Sequence, residues 1–214
     1  MRDRGKLTAA VAVAAVLWFF MFSPWTGGLV NFWLAMTASA CILTGMTLIL
    51  TKADLSGLKC GKPALQLLLG IILAFALWGV FWVGDKLSSL MFGFARPQVD
   101  AVYSMKHGLP VWVIALLLLF VIGPAEEFFW RGFVQRKVGE AVSSWKFPAD
   151  HAFLITTLVY GLIHIWSMNF MLVMAALVAG AVWGWLYRMN PRLLPALIVS
   201  HALWDVLVFI VFPI

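Results

Sequence analysis

Seven apolar stretches, each long enough to cross a bilayer as a helix, run through this chain and leave little sequence for anything else. A span takes about 20 apolar residues to cover a hydrocarbon core of about 30 Å. That ruler fits residues 7–23, 29–51, 64–84, 109–130, 151–168, 170–188 and 193–213. Backbone polar groups in lipid must be satisfied inside the structure, so apolar runs of this length are helical. The expected fold is all-α: a polytopic transmembrane helical bundle of about seven spans, one membrane domain over residues 1–214. Within it, residues 1–108 supply three helices and an outer loop, and residues 109–214 supply the core. The apolar stretch Leu87 to Phe94 leaves an eighth span, or a half-buried loop, open between Gly84 and Gly108.

Composition agrees with a bilayer, at 64% hydrophobic and 11% charged residues and a mean hydropathy of +0.99. A net charge of +6 would suggest nucleic acid in a soluble protein, but here the basic residues sit in short loops between spans, so no nucleic-acid partner is expected. With alternating spans and a cytoplasmic N-terminus, Arg2, Arg4, Lys6, Lys52, Lys59, Lys62, Arg131, Arg136, Lys137, Lys146, Arg188 and Arg192 fall on the cytoplasmic side. Only Lys86, Arg96 and Lys106 fall on the other. The positive-inside bias thus predicts the N-terminus in the cytoplasm and the C-terminus opposite. Arg2 to Lys6 and the apolar run after it resemble a signal peptide. The run ends at Ser23-Pro24-Trp25 without a small-residue cleavage site, and reads as an uncleaved first helix. Cys41 in an apolar run and Cys60 in a loop imply neither a disulfide framework nor a structural zinc.

An ionisable side chain within a span is costly unless paired or hydrated, so each is a functional candidate. Asp3, Asp54, Asp85, Asp100, Glu140 and Asp150 fall in loops or at helix ends, and His107 and His151 at boundaries. Glu126, Glu127, Arg131, His164, His201 and Asp205 remain. Pro124 removes a backbone donor and is expected to kink or restart the fourth helix just before the two glutamates. Glu127 and Arg131 are four apart and share a face, while Glu126 points about 100° away toward the interior. Tyr160 and His164 repeat the four-residue spacing on the fifth helix, and His201 and Asp205 on the seventh. Asp205 can hydrogen-bond His201 or share a bound group with it. Against chemistry stands plain packing: Glu127 with Arg131 could simply tie down a helix, and Tyr160 could pack or orient. Gly180 and Gly184 read as close helix packing. Trp25, Trp33, Trp112 and Trp166 read as interfacial.

Glu126-Glu127-xxx-Arg131, then an aromatic-xxx-His ending at His164, then His201-xxx-Asp205, resembles the motif series of the CAAX protease and bacteriocin-processing family. That family includes the type II CAAX prenyl endopeptidases, described as glutamic-type intramembrane proteases. The resemblance covers about residues 109–213. Tyr160 stands where the second motif usually has Phe, and Asp205 where the prenyl endopeptidases have Asn; the second departure argues against prenyl-CAAX cleavage as the specific activity.

The resemblance implies an intramembrane endopeptidase acting on a membrane-anchored or membrane-adjacent peptide or protein. It implies that Glu126 activates a water with His164 assisting proton transfer, and that His201 and Asp205 orient the water and stabilise the oxyanion. Glu127, Arg131 and Tyr160 support them. A glutamate can serve as general base and imidazoles as proton donors, so no cofactor is expected. The alternative is zinc on Glu126, His164, His201 and Asp205, although HExxH is absent. Two other classes use the same residues: a proton-coupled transporter, and a non-catalytic scaffold or immunity protein. On the simple topology, Glu126 would lie about 6 Å, His201 about 12 Å and His164 about 20 Å from the cytoplasmic face. Convergence on one water therefore needs tilted or broken helices, or a fifth helix starting deeper than His151, around a hydrated cavity expected to open to the cytoplasm.

Overall fold

The computed structural model describes residues 2–59 and 62–214, which leaves Cys60 outside the described residues. Among the described residues eight main helices follow one another: α1 (Arg2–Phe22), α2 (Phe32–Leu50), α3 (Pro63–Met91), a short α4 (Ala95–Tyr103), α5 (Val111–Ala141), α6 (Pro148–Ser167), α7 (Phe170–Met189) and α8 (Pro191–Val211). All except α4 are long and apolar enough to span a membrane, and no strand occurs among the described residues. The all-α polytopic bundle is therefore the observed architecture.

Local chemistry sets the helix starts. The Asn31 side chain accepts from the backbone N–H groups of Trp33 and Leu34, and Asn169 accepts from that of Leu172. Both occupy orphan donors of a first turn. Proline stands in the first turn of α3 and α6, where its missing N–H costs nothing.

Two helices run past their expected ends. α3 continues from Gly84 to Met91, and the stretch up to Gly108 holds the nine-residue α4 and a 3-10 turn at Ser104–Lys106. At about 1.5 Å per residue α4 reaches about 14 Å, so there is no eighth span. Asp85, expected at a helix end, lies within α3 and is 8% exposed. α5 is 31 residues long, or about 46 Å, because the chain beyond Trp130 stays helical to Ala141. Pro124 neither breaks nor restarts it. The helix passes through in widened π turns, at Leu118–Ile122 before the proline and Phe128–Gln135 after it, which absorb the lost backbone bond.

The extension of α5 removes the mismatch in depth between Glu126 and His164. Glu126 stands fifteen residues from Ala141, and His164 sixteen from Pro148 at the same end of the bundle. Their distances from that end, about 22 and 24 Å, agree within a turn. A deeper start of the fifth helix is not needed, since α6 begins at Pro148, ahead of His151.

Two apolar clusters build the core. One joins Ala10, Ala14 and Trp18 of α1 to Trp33 and Leu43 of α2, Phe129, Trp130 and Phe133 of α5, and Ala152 of α6. The other joins Leu77 of α3, Ala179 and Trp183 of α7, and Leu194 and Leu197 of α8. Where α5 meets α8, a Cβ on Gly123 would stand 2.6 Å from the Ala202 Cα. Only glycine lets the two backbones close up there, and that approach brings the glutamates of α5 against His201 of α8.

Candidate active site

The structure brings Glu126, Glu127, Arg131, Tyr160, His164, His201 and Asp205 together around the inner end of one cavity, and every one of them except Asp205 is buried. The two glutamates diverge as helical geometry requires. Arg131 Nη1 donates to Glu127 Oε1 at 2.6 Å, and His201 Nδ1 reaches the same oxygen at 2.9 Å. Glu127 is thus more than a helix tie: it joins α5 to the imidazole of α8. A carboxylate accepts, so Nδ1 of His201 carries the proton and Nε2 turns the other way. That nitrogen stands 3.6 Å from Asp205 Oδ2, too far for a hydrogen bond and wide enough for a shared water or substrate atom. Trp183 stacks on the His201 ring at 4.0 Å and donates its Nε1–H to Ser200 Oγ at 3.1 Å, so ring and tether are both fixed.

Glu126 lines the cavity and accepts from the Tyr160 hydroxyl at 3.2 Å. Tyr160 therefore orients a carboxylate as well as packing. Arg131 lies under the Tyr160 and Trp183 rings, and its Nη2 donates to the Gly180 carbonyl oxygen at 3.2 Å. Gln135, one turn on, donates to the Gly184 carbonyl oxygen at 2.9 Å. A Cβ on Gly180 would stand 2.8 Å from Tyr160 Cδ1. The two glycines of α7 are close-packing positions, as their spacing suggested, whose carbonyls also receive side chains of α5.

His164 is held on both nitrogens. Nδ1 is 2.8 Å from the Tyr160 carbonyl oxygen, and Nε2 accepts from Trp18 Nε1 of α1 at 3.1 Å. Among the described residues no three of His, Cys, Asp and Glu are grouped as ligands to one metal ion, and His164 offers no spare lone pair.

The cavity measures about 490 Å³, and its walls are mostly apolar. It runs from Glu126 and His201 to Phe22, Phe92, Tyr103 and Met105, at the end of the bundle opposite the start of α1. The expectation of an opening on the basic, N-terminal side is therefore overturned. Fully buried Phe129, Trp130 and Phe133 fill that side, at and just beyond the end expected for the fourth span. Val80 of α3 and Phe170, Met174 and Val178 of α7 line the cavity while remaining exposed, so it also opens sideways between those helices. At the mouth, Arg96 of α4 binds Asp100 at 2.7 Å and Asp85 at 3.4 Å. Tyr103 donates to the Val208 carbonyl oxygen. Burial pushes the Tyr103 phenol above its ordinary range and the Lys106 ammonium below it.

Sequence reasoning missed Trp18, Trp183 and Asp85. An indole needs an acceptor when buried, so Trp18, inside the first apolar run, carried a usable signal. Trp33, read as interfacial, is 3% exposed and donates to the Met105 carbonyl oxygen.

Fold and site together define a multi-pass integral membrane protein with a buried cluster of carboxylates and imidazoles facing a cavity that opens between helices. Residues 108–207 match the family model described as type II CAAX prenyl endopeptidase Rce1-like. The matched segment takes in all three motifs, from Glu126 to Asp205, and over that segment the chain is similar to these endopeptidases. No curated protein and no solved structure matches it.

Proposed function

We propose that the chain hydrolyses a peptide bond in a membrane-anchored or membrane-adjacent substrate, with Glu126 as general base. The observation that carries this reading is the division of labour between adjacent glutamates: Glu127 is tied through one oxygen to Arg131 and His201, while Glu126 lines the cavity and accepts from Tyr160. Glu126 takes a proton from water as the oxygen adds to the carbonyl carbon, and the proton passes to the leaving amine as the C–N bond breaks. His201, flanked by Glu127 and Asp205, can carry protons on both nitrogens and donate from Nε2 to the oxyanion. Asp205, as a carboxylate, acts through His201 and the shared water. No step requires a metal ion.

The basic residues argue for orientation. With Arg131 buried in the bundle, the remaining Lys and Arg still crowd the end where α1 begins, which supports a cytoplasmic position for that end. The cavity mouth then faces away from the cytoplasm, and a substrate enters from lipid between α3 and α7. Lipidated termini, leader peptides and sorting signals all fit that route, and the Asp205 departure speaks against prenyl-CAAX ends in particular.

The test compares peptide termini in membranes from cells carrying the wild-type chain, Glu126→Gln, or no chain. New termini are expected only with the wild type, and also from protein depleted of metal. A folded Glu126→Gln variant that produces the same termini would sink the general-base role, and leave a transporter or scaffold as the better account.

A further inference from the structure

Every ring nitrogen of His164 has a partner whose chemistry permits one arrangement only. The Tyr160 carbonyl can only accept, so Nδ1 carries the proton; the Trp18 indole N–H can only donate, so Nε2 is bare. A second proton on the ring would set N–H against N–H. Trp18 is 1% exposed and His164 7%, so water offers no easy substitute for either partner. The ring is further boxed by Trp18 edge-on at 6.0 Å, Phe22 at 5.6 Å and Tyr160 at 5.3 Å. Glu126 and His201 line the same cavity as His164. Trp18 itself lies on α1, outside the segment 108–207 that carries the family motifs.

We propose that Trp18 is a positioning residue, which through its indole N–H holds His164 neutral in one tautomer and keeps its Nε2 occupied beside the site. The inference rests on the peptidase reading above. It assigns to the first span a part in the active site that the motif-bearing half does not supply alone. It also sharpens the division of roles: the indole stands where a water or substrate donor must stand to give His164 a proton. Glu126 is then the base of the resting site, and His164 joins only when the indole yields.

The experiment uses the full chain, labelled with 15N in tryptophan and histidine. An N–H···N hydrogen bond transmits a coupling between the two nitrogens, and with four histidines in the chain the His164 signal is assigned by its loss in His164→Gln. A coupling between Trp18 Nε1 and His164 Nε2 is expected. Replacing Trp18 by 3-benzothienylalanine, the same shape with sulfur for N–H, should abolish it and lower the rate of Glu126-dependent termini about tenfold. That loss corresponds to one hydrogen bond of ordinary strength. The change should fall on kcat and leave KM within about twofold. 5-Fluorotryptophan, which keeps the N–H, should restore the rate, and Trp18→Phe serves as the genetically encoded companion. Absence of the coupling in the wild type, or full rate in the folded benzothienyl variant, overturns the proposal. A wild-type chain that generates no termini would instead remove the peptidase reading, while the coupling still reports on the bond.

Discussion

At the scale of residues, the site is organised by what each polar atom must bind once water is scarce. Glu127, Arg131 and His201 form one connected set, in which a single carboxylate oxygen serves both a guanidinium and an imidazole. Removing one member of a buried charged set strands the others and costs about 3–5 kcal/mol. Glu127→Ala should therefore cut stability in detergent, read as a large drop in thermal midpoint, whereas Glu126→Gln should leave the midpoint nearly unchanged. Equal midpoints for the two variants would contradict the assignment of structural and reactive roles. The Glu127–Arg131 pair was legible beforehand because a four-residue spacing on one helix fixes it. The Glu127–His201 and Trp18–His164 bonds join residues far apart in sequence, on different helices, and no local period encodes them.

At the scale of elements, α5 does most to place the chemistry. Its spans could be read from apolar runs, but its end could not, because Arg131, Gln135 and Arg136 look like loop polarity until α7 supplies acceptors at Gly180 and Gly184. The ends of α3 and α4 were obscured in the same way by Asp85 and Arg96, which satisfy one another. The crossing of α5 and α8 rests on Gly123. Gly123→Ala would press a methyl onto the Ala202 backbone and should cost about 1–3 kcal/mol, as overpacking does. The shift should also move Glu126 relative to His201 and lower turnover. Gly45→Ala, with nothing within 4 Å of the added Cβ, is the control and should stay within about 0.5 kcal/mol of wild type.

At the scale of the whole molecule, charge and cavity run in opposite directions: basic residues gather at one end, and the cavity opens at the other. The bundle and its number of spans were readable from composition and run length. The direction of the opening was not, since it depends on large side chains of α5 plugging one end, which hydropathy counts only as apolar. Exposed Ser143 and Ser104 lie at opposite ends of the bundle. In a chain freed of its own cysteines, Ser104→Cys should react with an impermeant maleimide on intact cells, and Ser143→Cys only after permeabilisation. The reverse pattern would turn the cavity mouth to the cytoplasm.

The central claim is that Glu126 activates a water which ends in a product carboxylate. Membranes from cells lacking the chain, supplied with the purified protein in water enriched in 18O, test it most directly. Newly formed peptide C-termini should carry one heavy oxygen with the wild-type chain, and their rate of appearance should fall by about 10² to 10⁴ with Glu126→Gln. Heavy-oxygen termini formed equally fast by the folded variant would contradict the account.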